Sequence, residues 1–155
     1  MIDAILAWLT GTPPEAAAER GRRDLEVALA ALLVEVANTH DHFDDQERAL
    51  IASLLERRFN LSQPAARALL AAGEQEAGRS AELFHFSRVI NERLSGAQRI
   101  ELIEMLWEVA YADGELDQYE DTLLRRIGGL IYVPDRERGM ARRRVAERLG
   151  VDPAV

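Results

Sequence analysis

No cysteine occurs in the 155 residues, so disulfides, thiolate metal sites and cysteine nucleophiles are excluded. Lysine is absent too. All 19 bases are arginine, which reads as coding bias rather than chemistry. No uncharged apolar run approaches the ~18 to 20 residues that cross a bilayer. The segment 1–9 is apolar at Ile2, Ile5, Leu6, Trp8 and Leu9, but Asp3 interrupts it and the basic start of a secretory signal is missing. It reads as a short amphipathic helix resting on the protein's own body, with weak contact to a membrane surface as the alternative. The expected location is the cytoplasm, with the inner face of the membrane included. With 27 acids and a formal charge of -8, the chain also lacks the positive field that nucleic acid requires. A Gly-rich phosphate loop, His-Glu-x-x-His and a Gly-x-Ser-x-Gly elbow are all missing, so neither catalysis nor a small-molecule substrate is expected.

What is present is a globular composition, 48% apolar and 30% charged, sized for one domain. Thr10 to Gly21 holds Pro13, Pro14 and an Ala/Glu/Arg stretch with few apolar anchors. Residues 1–23 therefore read as a short helix and linker, or a loosely held helix, and 24–150 as the body. Apolar positions recur at helical spacing over 24–39, 44–59, 63–75, 80–94, 98–112, 117–131 and 135–149, with breakers between. No stretch alternates β-branched with polar residues. The expectation is an all-α domain of about seven helices. Ser62 and Ser80 look like N-caps. Glu82-x-x-His85 has the spacing of a di-iron ligand pair, but only one copy exists, so His85 reads as a half-buried packing residue between Phe84 and Phe86.

Sliding the chain by 73 residues superposes identical residues: Leu33, Glu35, Val36, Ala37, Asp44, Glu47 and Leu50 fall on Leu106, Glu108, Val109, Ala110, Asp117, Glu120 and Leu123. Chance gives about one match in such a window. Two helix-turn-helix units thus share one plan: an apolar helix, a polar bend ending in Asp-x-x-Glu, and an amphipathic helix. The second bend runs Asp113, Gly114, Glu115, Leu116, Asp117, with Glu120 following. It matches the latter half of an EF-hand loop, Leu116 plugging the core and Asp113, Asp117 and Glu120 converging. The former half is missing, since Val109 and Tyr111 occupy the places of the first ligands, so any site is a reduced one supported by Glu108 or water. The first bend substitutes His40 and Asp41 for Asp-Gly and keeps Phe43 as plug, with Asp44 and Glu47 behind it. Mixed nitrogen and oxygen donors favour a transition metal there. Calcium, manganese and zinc are the candidate divalent cations. The competing reading is helix capping, in which Asp44 with Glu47 and Asp117 with Glu120 satisfy orphan amides and no ion is involved.

From Glu101 to Asp121 lie eight acids and no base, a field suited to cations or a basic protein partner. The opposite pole is the last segment, with Arg136, Arg138, Arg142, Arg143, Arg144 and Arg148. It reads as a solvated face, or as a contact for anions.

The run Trp107-Glu108-Val109-Ala110-Tyr111-Ala112-Asp113-Gly114-Glu115-Leu116-Asp117, with Glu120 and the repeat partners from Leu33 to Glu47, resembles the tellurite-resistance TerB family. The resemblance extends to the TerB-like domains at the front of some co-chaperones, and covers about residues 24–135. It implies an all-helical, pseudo-twofold domain with an acidic metal-binding surface. It also implies links to tellurite and other chemical stress and to complexes at the inner membrane face. Asp113, Asp117 and Glu120 match the family's bend directly, whereas the first bend departs from it at His40 and Asp41. No His-Pro-Asp motif occurs, so a co-chaperone role is not expected. A purely interacting scaffold, with capping carboxylates and no metal, is the alternative function.

Overall fold

The computed structural model describes residues 14–38, 43–77, 82–112, 116 and 118–152. Among the described residues there are seven helices and no strand: α1 Pro14–Ala37, α2 Asp45–Phe59, α3 Gln63–Glu76, α4 Glu82–Arg93, α5 Gly96–Ala110, α6 Gln118–Leu130 and α7 Asp135–Leu149. The all-α expectation holds.

α1 is the axis of the domain because its second half is apolar on nearly every side. Ala28 to Val34 are all buried, as are Val36 and Ala37, and a helix without a polar face belongs inside. α3, α4 and α5 pack around it, α2 and α6 touch it, and α7 lies on α5. The approach of α3 is unusually close: a Cβ at Gly73 would stand 2.7 Å from the Cβ of Ala30. The small residues Gly73 and Ala30 therefore set the spacing of this central pair. Arg48 adds a polar tie between α2 and α3, its Nη1 donating to Glu74 at 2.9 Å while its guanidinium covers the ring of Phe43. Phe43 and Leu116, the expected plugs of the two bends, are both partly buried against the core.

α1 begins at Pro14 rather than near Asp24. Proline suits the first turn of a helix and the following alanines favour its continuation, although neither leaves an apolar stripe to read. Arg93 crosses this early part of α1 at Gly21, where a Cβ would lie 1.9 Å from its Nη2.

Side-chain caps start α2, α3 and α5, whereas α7 starts after Pro134 without one. Ser62 accepts from the N–H of Ala65 at 3.3 Å. Ser95 and Gln98 form a reciprocal capping box, so α5 starts at Gly96 instead of 98. Ser80, the other expected cap, lies outside the described residues. Three helices end alike, in a left-handed residue followed by an apolar one whose N–H reaches back five residues. Leu61 bonds Glu56, Val133 bonds Gly128 and Val151 bonds Ala146, at 3.0, 2.9 and 2.9 Å. The left-handed residues are Asn60, Tyr132 and Gly150. The 73-residue slide matches Asn60 with Val133, so the second unit closes its helix one residue early, on Tyr132. The repeat's apolar residues hold matching places, with Leu33, Val36 and Ala37 buried near the end of α1 and Leu106, Val109 and Ala110 buried near the end of α5.

Candidate functional site

The first bend uses its aspartate as a cap. Asp44, in extended conformation, accepts from the N–H of Glu47 at 2.8 Å and closes the first turn of α2. Glu47 is half-buried, whereas its repeat counterpart Glu120, the third residue of α6, is 1% exposed. Identical residues at matching places thus meet different surroundings. His40, Asp113 and Asp117 lie outside the described residues.

Packing of α7 on α5 brings the two units to one cleft of about 490 Å³. Asp44 and Glu47 face it from the first unit, Glu108 and Tyr111 from the second, and Leu149 and Val151 from the end of the chain's last helix. Acids and apolar side chains share its wall. Glu108 is not idle there. It pairs with Nη2 of Arg148, and its other oxygen stands 3.8 Å from Nη2 of Arg57.

The same packing corrects the charge map expected from the sequence. The acidic run and the arginine-rich last segment are not opposite poles, because α7 lies along α5 and sets one against the other. Arg144 pairs with Glu104 at 3.3 Å, Arg148 with Glu104 at 3.8 Å and with Glu108, and Arg58 reaches Glu101 at 3.9 Å. The Glu104–Arg144 and Glu108–Arg148 hydrogen bonds keep one offset of 40 residues, as expected for two i,i+4 pairs on helices in step. Arg142 is the most occupied of these arginines. Its Nε donates to the Tyr111 hydroxyl at 2.8 Å, its guanidinium lies 5.0 Å from the centre of the buried Trp107 ring, and Nη1 is 3.7 Å from Asp121. Trp107 in turn stacks on Tyr111. Sequence reasoning missed this cluster. Its signal was a Trp and Tyr four residues apart on an apolar helix, which demands a cover for the ring face.

The residues fit the expected divalent cation unevenly. Calcium takes six to eight oxygens and zinc four donors, yet among the described residues no group of three His, Asp or Glu side chains converges. Asp44 uses Oδ1 for its cap, and Glu108 pairs with Arg148 and lies 3.8 Å from Arg57, so a cation at either would compete with a contact already made. In the second-bend set, Glu120 is the described member and is shut away from bulk water.

His85 is exposed rather than half-buried, its ring edge-on to the buried Phe86. Apolar neighbours in sequence hid this, because on a helix the next residue points elsewhere and only Phe86 turns inward. No helix is long and apolar enough to cross a membrane among the described residues.

No curated protein and no solved structure matches the chain. The model of a protein family described as tellurite resistance protein TerB does match, over residues 26–143, a span that contains both bends. The chain therefore belongs to the TerB family.

Proposed function

We propose that this TerB-family chain is a non-catalytic, cytoplasmic stress-response module that binds a divalent cation and docks to a protein partner. Asp113, Asp117 and Glu120 hold the cation at the second bend, and the cleft between the two units receives the partner, either a basic protein surface or a complex at the inner face of the membrane. The observation that carries this reading is the cleft itself, where Asp44 and Glu47 of one unit stand across from Glu108 and Tyr111 of the other. A wall of acids and apolar side chains suits a basic, amphipathic segment. Support for placing the cation at the second bend comes from the sequence, where Asp113, Asp117 and Glu120 follow the bend pattern of the TerB family to which the chain belongs.

Isothermal titration with calcium, manganese and zinc tests the cation. Heat and a raised melting temperature are expected for the unaltered chain with at least one of them, and neither for Asp113→Asn/Glu120→Gln. Because Glu120 is buried, Asp113→Asn/Asp117→Asn serves as a second variant whose loss of heat does not depend on disturbing the core. Absence of heat and shift in the unaltered chain removes the cation from the account. A second reading is favoured by the Asp44 cap: the carboxylates of both bends only close helices, and the cleft works without metal. It predicts melting indifferent to chelator, with partner capture that weakens as salt rises.

A further inference from the structure

We propose that the groove between α4 and the α6–α7 corner is the face through which two copies of this chain pair. The groove, of about 650 Å³, is lined by Phe84, Arg88, Asn91 and Glu92 of α4 and by Leu130 and Tyr132 where α6 ends. Both aromatic rings stand open, Phe84 at 64% and Tyr132 at 76% exposure. Tyr132 also holds a φ of 57°, a left-handed conformation that is unfavourable for a bulky residue. At the corresponding ends of α2 and α7 the chain uses Asn60 and Gly150, which adopt it at little cost. A strained backbone carrying a ring that packs on little of its own chain is explained by a contact outside the chain.

The corner is held firmly in position. Asn91 donates to the carbonyl of Leu130 at 2.9 Å, and Arg99 donates to Asn91 Oδ1 at 3.2 Å and to the carbonyl of Ile131 at 3.3 Å. Tyr132 is thereby fixed relative to α4, and the groove is preformed.

Charge selects a second copy as the occupant. Arg88 and Glu92 are one helical turn apart on the exposed side of α4, and among the described residues neither forms an ion pair. When two α4 helices run antiparallel about a two-fold axis between these positions, Arg88 faces the partner's Glu92, and the contact repeats by symmetry. The face is neutral in sum and complementary to itself, which suits a like partner better than a strongly charged one. Phe84 and Tyr132 supply the apolar part. A helix of 12 residues is about 18 Å long, so the interface is small and the expected dissociation constant is about 10–100 µM.

Sedimentation equilibrium of the full chain, from about 5 to about 500 µM, tests the pairing. The unaltered chain is expected to pass from monomer to dimer. Arg88→Glu and Glu92→Arg each weaken association at least ~10-fold, and the double variant recovers to within ~3-fold, since the swap restores the pairs in reversed sense. Tyr132→Gly weakens association by a similar factor while raising the melting temperature of the dilute, monomeric chain. All three positions are exposed, and unchanged circular dichroism confirms that the variants fold. A monomer at every concentration overturns the proposal and leaves the groove to an unlike protein. Failure of the double variant to recover also overturns it, as does full association by Tyr132→Gly.

Discussion

On the α5–α7 face Glu104 and Glu108 meet Arg144 and Arg148, and Arg142 is engaged by a hydroxyl, a ring and a carboxylate. On α4, Arg88 and Glu92 sit one turn apart without touching, beside two rings open to solvent. The contrast is not chiefly one of stability, because partly exposed ion pairs contribute only ~0–1 kcal/mol each. It concerns availability. On the first face the charges answer one another within the chain, and on the second they stay apart and present both signs to a partner. Only Arg142 changes the energetic balance on the first face, since it covers Trp107 as well as carrying charge.

Substitutions on the two faces sharpen this contrast. The largest effect is expected from Trp107→Ala, which empties the buried site under Arg142 and costs about 3–5 kcal/mol in urea unfolding. Arg142→Ala comes next at about 1–3 kcal/mol, because it strips the cover from the ring and leaves the Tyr111 hydroxyl without its donor. Arg88→Ala, the matching change on the other face, stays within ~0.5 kcal/mol in the monomer. Equal losses for the two arginines break the comparison. Tyr132→Gly stabilises the dilute chain by about 1 kcal/mol by relieving the left-handed residue, and a fall in melting temperature shows that the exposed ring packs after all. The smallest effect is the coupling of Glu104 and Arg144. A double-mutant cycle with Gln at both positions gives less than ~1 kcal/mol, shrinking further in salt.

Much of the helical plan was legible in the sequence, because amphipathic spacing survives wherever a helix has one wet side. It weakened where that condition failed. α1 is buried all round in its second half and almost without apolar anchors in its first, so Pro14 as a helix start left no periodic trace. The Asp44 cap was readable from Asp-x-x-Glu alone, since the contact spans three residues. Ser95 and Gln98 carried the same kind of signal, yet the intervening Gly96 disguised the start of α5. The meeting of acids and arginines was not readable, as it depends on α7 settling along α5 at a separation of 40 residues. The repeated i,i+4 spacing of Glu104 with Glu108 and of Arg144 with Arg148 was its one local trace. Tyr132 was invisible for another reason: neither Gly nor Asn marks the left-handed position, which only the backbone reveals.

The cation at the second bend is the claim on which the functional account turns, and paramagnetic broadening by manganese addresses it most directly. Substoichiometric manganese is predicted to broaden the amide resonances of Ala112 to Asp121 first, while those of Asp44 to Arg48 follow only at higher metal. Broadening spread evenly over the acidic helices, or none at all, contradicts the account and returns both bends to the role of helix caps.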